Sequence, residues 1–527
     1  MTPPPAATRR EAAVIEIGSS SIRMAVARRE PDGSLRHLDD LDLPVGLGRE
    51  TLSGEEISAE TTERCVVAIR KFQQALAELG VRTADLRVVA TSAVREARNR
   101  EAFTDRILIA TGLPVAVLSE AEVSRLTYLA VRPVLAEQPF FRRGRTLVVE
   151  VGGGSTEILA FTHGRIRETH VNRIGSLRMR REIGDYARTS HGLAAFEAYL
   201  AFPVSQMAGS LAGGGPAHLV VLGGETRLVR DILLGGDAPP PPLATLAVAD
   251  VRAFLTERVG RPVADLAREN GLSEHQAEAL LPALAVCVVL AETLGEDRLR
   301  VGNASLRDGV LAELLAGQLW EREFRRQTLH SARALARRYH ADVRHAGRVA
   351  AACRGLRACL ARACGVAFDP RDDTLLHVAA LVHEIGMFVN ARAYHKHTLY
   401  LVENSEIFGL DAAETALVAR IARYHRRAAP RPTHEEFVDL PAADRVRVSK
   451  LAAILRVADV LDVGHAGDRP ALTFEARGDE LVIRAHTDAD LTLAQGQMDA
   501  RAGMFRSVFG LRVTLRAAAR ENGHAAG

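Results

Sequence analysis

The 527 residues suffice for three or four domains at roughly 100–200 residues each. Apolar residues at 47% and charged residues at 25% exclude a largely disordered, collagen-like or disulfide-scaffold chain, and a formal net charge of +3 is too small to imply nucleic acid or membrane as a partner. Of the 68 basic residues only Lys71, Lys396 and Lys450 are lysine, so an arginine counts as a phosphate ligand only with local support. In chain order, residues 14–17 and 22–26 read as two strands around the turn Gly18-Ser19-Ser20-Ser21. Residues 61–79 read as a helix, with Val66, Ile69, Phe72, Leu76 and Leu79 on one face and Gly80 as its stop. A strand over 86–90, a helix after Thr91 and a strand over 115–118 complete an α/β domain at 11–138.

The chain then repeats its opening. Residues 146–151 form a strand, Gly152-Gly153-Gly154-Ser155 a turn and 158–161 a returning strand. Glu16 and Glu150, about 134 residues apart, end the first strand of each hairpin. The repeat predicts a duplicated α/β fold with a cleft between its halves, the second half at 139–318. That half holds a further strand-to-glycine turn at 220–226 and a proline run at 239–242, read as a surface loop. Residues 319–470 are all-helical in character and carry most of the histidines. Alternating runs at 472–475 and 481–484 predict a small α+β region at 471–527, frayed at its last residues. The most apolar stretch, 279–290, is short of the ~20 residues that span a bilayer. Five cysteines without a C-x-x-C pair suit core positions in a reducing compartment. The first ten residues hold no apolar signal core, and the cytoplasm is the expected location.

Glycine turns after strands present backbone N–H groups to anions, and a carboxylate beside each turn describes a clamp for a polyphosphate and its Mg²⁺. Around these turns, several strings are similar to those of the Ppx/GppA phosphatases, a family within the actin–hexokinase superfamily. They are Ile15-Glu16-Ile17-Gly18-Ser19-Ser20-Ser21, residues 89–97, residues 149–157, Ser305-Leu306-Arg307-Asp308-Gly309 and, in the helical part, His383-Glu384-Ile385-Gly386 and residues 423–426. The resemblance implies two actin-like (ribonuclease H-like) domains, an all-α HD-like domain and an α+β cap. It implies release of the terminal phosphate from inorganic polyphosphate or from pppGpp, with water as nucleophile, Mg²⁺ or Mn²⁺ assisting and no organic cofactor. It also implies polyphosphate or guanosine penta- or tetraphosphate as partner, and a homodimer. Carried over by position, Gly18, Ser19, Ser20, Ser21, Gly152, Gly153, Gly154, Ser155 and Thr156 would cradle phosphates and Arg95 would bind a phosphate oxygen. Glu16, Glu150 and Glu157 would handle metal and water, and Gly175, Ser176 and Arg178 would add phosphate contacts.

The chain departs from the family pattern at several of these positions. Glu16 and Glu150 stand where the family has aspartates, Ser20 where it has asparagine and Glu225 where it has glycine. In the family's S-G-x-E-E-x-R-L string, Val123 falls on the second glutamate, the family's proposed base. Ser119 and Glu122 read as a helix capping box, with Glu120 or Glu122 as a displaced base the alternative. In the helical part, His345, His383-Glu384 and Asp459 follow the order of the HD phosphohydrolase pattern, H…HD…D, with His395, His397 and His425 as further ligands. The other reading is a core of buried, hydrogen-bonded histidines. The arginine-rich run at 333–348 reads as a solvated helix face or as the lining of a channel for an anionic polymer. Three functions follow: a cleft phosphohydrolase, a polyphosphate or (p)ppGpp sensor without turnover, and a phosphohydrolase using the HD-like part.

Overall fold

The computed structural model describes residues 11–518 apart from 31–33, 52–55, 185–188, 190, 212–216, 236–240, 317–318, 427–428, 463–470 and 488–490. The readings made at 1–10, 239, 240 and the last nine residues lie outside the described residues. The chain divides into two compact units, Met1–Phe324 and Arg325–Gly527.

The first unit contains the same sheet twice. Strands β1 (Glu11–Ile17), β2 (Ser21–Arg29), β3 (Leu35–Pro44), β4 (Leu86–Ala90) and β5 (Val115–Val117) form a sheet of order β3-β2-β1-β4-β5. Strands β6 (Arg145–Val151), β7 (Thr156–Thr162), β8 (Arg165–Asn172), β9 (Ala217–Leu222), β10 (Leu243–Ala247) and β11 (Arg298–Gly302) form a sheet of order β10-β11-β9-β6-β7-β8. In each, the opening three strands run antiparallel, a later strand (β4 or β9) joins the first in parallel and one more (β5 or β11) extends it in parallel. The second sheet adds β10 antiparallel at its edge. The duplication read from the two hairpins is therefore a duplication of whole sheets.

The near-continuous apolar runs of β1 and β6 are buried, as central strands covered on both faces require. Ser58 caps the helix Ala59–Glu78 by accepting from the Thr61 N–H, and Val66, Ile69, Phe72 and Leu76 enter the core of the first sheet. Leu79 does not belong to that face: it lies past the helix end and is 42% exposed. The apolar stretch at 279–290 is part of a longer helix, Glu274–Thr293, long and apolar enough by length and composition to cross a membrane. Most of it is buried inside the unit, in the core of the second sheet.

Two helices carry the chain between the sheets. Glu120–Ala136 leaves the first sheet and packs on β7, while Leu306–Ala316 returns from the second and packs on β1 and β2. They cross closely at Gly309, where a Cβ would lie 2.1 Å from the Leu126 carbonyl oxygen.

In the second unit, helices Val343–Cys364, Asp372–Val382, Ala412–Arg423 and Ala442–Val460 share one apolar core with the sheet of β12 (Leu472–Arg477), β13 (Glu480–His486) and β14 (Arg512–Ala518). Arg337, Arg338 and Arg344 are exposed. Cys65, Cys287, Cys353 and Cys359 are buried and free, whereas Cys364, expected in the core, is exposed at the end of its helix.

Candidate active site

The two glycine turns are built alike and meet. The Gly18 N–H donates to the Ser21 carbonyl at 3.0 Å, and the Gly152 N–H donates to the Ser155 carbonyl at 2.9 Å. A Cβ on Gly153 would lie 2.9 Å from the Ser19 Cβ, so the second turn needs glycine to approach the first. Around them a cleft is lined by Glu16, Ser19, Arg23, Arg95, Glu120, Val123, Glu150, Glu157, Ser176 and Glu225, among others. It also includes Gly18, Ser20, Ser21, Gly152, Gly153 and Ser155, but not Gly154, Thr156, Glu122 or Arg178.

Strand register explains the carboxylates. Glu16 pairs across the ladder with Arg23, whereas Glu150 pairs with Glu157, so the second hairpin sets two like charges opposite each other. Thr127 Oγ1 lies between them, 3.1 Å from Glu150 Oε2 and 3.3 Å from Glu157 Oε2. Burial first, then the neighbouring Glu16 charge, push the Glu150 carboxyl up to about 7, with Thr127 and Arg227 opposing. Glu225, in the first turn of helix Gly224–Leu234, adds a carboxylate to the cleft.

Several side chains do other work than the sequence suggested. Glu122 is taken by the helix cap: its carboxylate accepts from the Ser119 N–H at 2.9 Å and from the Ser119 hydroxyl at 3.0 Å. It is a capping residue, not a catalytic group in the cleft. Thr156 faces away, its hydroxyl donating to the Ile174 carbonyl. Gly154 offers its carbonyl to Arg178 Nε at 3.0 Å, and Arg178 also holds Glu96 at 2.6 Å, so Arg178 braces the turn instead of contacting phosphate. Gly175 packs on that turn, where a Cβ would lie 2.3 Å from the Gly153 carbonyl oxygen. Arg95 does reach the cleft; it donates to the Leu118 carbonyl at 2.8 Å and lies 3.6 Å from Glu120.

Three arginines near the carboxylates escaped the sequence reading. Against the cost of burial, Glu16, Asp42 and Glu225 hold the Arg23 guanidinium above its ordinary value. Burial, then Arg23 and Arg307, lower Arg227, with Glu225 and Glu150 opposing. Arg307 lies 3.8 Å from Glu16 and 3.2 Å from Asp40. Alternation along β2 would have put Arg23 beside Glu16, and Arg307 stands inside a string already singled out. Arg227 carries no such signal.

In the second unit, His345, His383, Glu384 and Asp459 converge, one donor atom of each within 4.8 Å of the others. His425 is not among them: its Nε2 is 3.1 Å from the Tyr394 hydroxyl, and burial followed by the His383 charge push it down to about 3. His395 and His397 also lie outside the group of four.

Comparison with known proteins gives one consistent result. Residues 26–317 match the model of the Ppx/GppA phosphatase family, and residues 326–499 match that of Ppx/GppA phosphatase, domain III. The chain is 23% identical over 485 residues to a guanosine-5'-triphosphate,3'-diphosphate pyrophosphatase from Vibrio campbellii, covering 89% of this chain and 91% of that protein. Among solved structures it is similar to an exopolyphosphatase from Cytophaga hutchinsonii at 20% identity, with a TM-score of 0.53 over 58% of this chain and 98% of that one. That likeness, with the repeated sheet topology, shows the actin-like fold of the first unit.

Proposed function

The chain belongs to the Ppx/GppA phosphatase family, and on that premise we propose that its cleft hydrolyses the terminal phosphoanhydride bond of inorganic polyphosphate or of guanosine-5'-triphosphate,3'-diphosphate. The observation that carries the reading is the meeting of two like glycine turns, each with a strand-end glutamate, at one cleft. The turns receive phosphate oxygens on backbone N–H groups and serine hydroxyls. Arg95, held between the Leu118 carbonyl and Glu120, is within the cleft to clamp the end of the chain.

Glu16, Glu150, Glu157 and Glu225 offer only oxygen donors, and the like-charged Glu150–Glu157 pair around one hydroxyl fits a hard dication such as Mg²⁺. When bound, that cation would neutralise charge on the phosphates. Val123 leaves an apolar side chain where the family has its proposed base, and Glu122 is held in its cap. Proton acceptance from the attacking water therefore falls to Glu150, whose carboxyl burial raises to about 7 in the cation-free cleft and a bound dication would lower. Phosphoryl transfer depends mainly on positioning and charge neutralisation, so a displaced base is compatible with turnover. Water adds to the terminal phosphorus, the bridging oxygen leaves with the shortened chain, and inorganic phosphate is released.

Val123 also favours a second reading, a cleft that binds these ligands without cleaving them. The test is phosphate release from long-chain polyphosphate and from the guanosine nucleotide with Mg²⁺. Release from at least one is expected, falling about 10²-fold or more in Glu150→Ala. Binding without release by the unaltered protein would leave the second reading standing.

A further inference from the structure

We propose that the second unit binds one divalent transition-metal ion through His345, His383, Glu384 and Asp459, a site separate from the carboxylate cleft. The four donor atoms lie within 4.8 Å of one another, and the separations of the imidazole nitrogens from Asp459 and Glu384, 3.4, 3.4 and 3.9 Å, are close to the ~3.4 Å between donors around one tetrahedral ion. They come from three helices. His345 sits in the first turn of Val343–Cys364, His383 and Glu384 directly follow Asp372–Val382, and Asp459 lies in the last turn of Ala442–Val460.

Contacts outside the cluster fix which ring nitrogens face inward. His383 Nδ1 is 2.8 Å from the Ala380 carbonyl, to which only an N–H can donate, so Nε2 is the ring nitrogen turned toward the cluster. That Nε2 is buried, has no hydrogen-bond partner among the described residues and lies 3.4 Å from Asp459 Oδ1. A buried nitrogen and a carboxylate oxygen at that distance call for a positive charge between them, which a proton or a coordinated cation can supply.

His345 is oriented in the same sense. Its Nδ1 lies 2.6 Å from Asp462 Oδ2, which directs Nε2 toward Asp459 Oδ1 at 3.4 Å and Glu384 Oε2 at 3.9 Å. Asp462 is itself held by Arg348, and the second oxygen of Asp459 accepts from Arg501 at 2.5 Å. Both imidazoles and Asp459 thus have the outer partners that orient metal ligands. Two imidazoles with two carboxylates select a first-row transition ion over Mg²⁺ or Ca²⁺. Glu384 is the most exposed of the four, its side chain 18% accessible, so water ligands would enter on its side.

The test strips the full-length protein with a chelator, then adds Co²⁺ in the presence of millimolar Mg²⁺ so that the cleft holds the harder ion. Bound cobalt is measured by elemental analysis and by its visible absorption. About one cobalt per chain is expected. His383→Gln and Asp459→Asn should abolish it, and the positioning variant Asp462→Asn should weaken it by about 10–100-fold. Glu150→Gln should leave it unchanged. Circular dichroism checks that the variants fold. Should His383→Gln not fold, the less buried Glu384→Gln decides the same question by its loss of cobalt. No cobalt on the unaltered protein, uptake indifferent to the substitutions at 383, 384 and 459, or loss in Glu150→Gln would each overturn the proposal.

Discussion

At Glu150 the surroundings oppose ionisation, and stability and function pull in opposite directions. Burial, then the Glu16 charge, raise its carboxyl from 4.5 to about 7. Between those values the folded chain keeps a proton that the unfolded chain has lost. The stabilisation this gives is therefore fully present below pH 4.5 and disappears as pH rises through about 7. At pH 8 the ionised group costs up to about 3 kcal/mol, at 1.36 kcal/mol per pH unit. Glu150→Gln should accordingly melt higher than the unaltered protein at pH 8 and close to it at pH 5, while phosphate release collapses. Release by the unaltered protein in Mg²⁺ should rise with pH and level off at or below about 7, because the cation lowers the carboxyl from its cation-free value. Equal melting temperatures at pH 8 would show that Arg227 and Thr127 already compensate the charge.

Between elements, the crossing of helices Glu120–Ala136 and Leu306–Ala316 ties the second sheet back to the first. A Cβ at Gly309 would sit 2.1 Å from backbone oxygen and 2.6 Å from backbone carbon of Leu126, neither of which can rotate aside. Gly309→Ala should lower stability by about 1–3 kcal/mol and shift Arg307 from Glu16. Gly347→Ala, also within a helix but with nothing within 4 Å of its Cβ, should raise stability by about 0.5–1 kcal/mol. Thermal melts of the two variants give opposite signs if close packing, not helix propensity, decides at Gly309. The same distinction explains what the sequence disclosed. β1, β4 and β6 were legible because central strands read as apolar runs, and the turns and the Ser119–Glu122 cap because their signals are local. Strand β3 was missed because Leu35–Pro44 is an edge strand, charged and largely exposed, paired only with β2. The grouping of Arg23, Arg227 and Arg307 depends on register and helix placement, and the roles of Arg178 and Thr156 as braces depend on what each side chain meets.

For the whole molecule, a formal net charge of +3 offers little long-range attraction to a polyanion. The cleft is less inviting still: five carboxylates (Glu16, Glu120, Glu150, Glu157 and Glu225) line it against the two guanidiniums of Arg23 and Arg95. A phosphate chain entering without a cation meets like charge at close range. Mg²⁺ should therefore govern binding itself and not only the chemical step. In a chelator, polyphosphate should bind at least about tenfold more weakly than in millimolar Mg²⁺, one decade being about 1.4 kcal/mol. Glu225→Gln removes one carboxylate from the start of helix Gly224–Leu234 and should recover part of the affinity in the chelator. Titration of labelled polyphosphate in both conditions measures the two effects together. Equal affinity with and without Mg²⁺ would mean that the arginines alone hold the chain. A Mg²⁺ requirement that Glu225→Gln leaves untouched would place the repulsion at Glu16, Glu150 and Glu157. Cobalt bound through His345 and His383 should alter neither result, because imidazole donors in the second unit and carboxylates in the first select different ions.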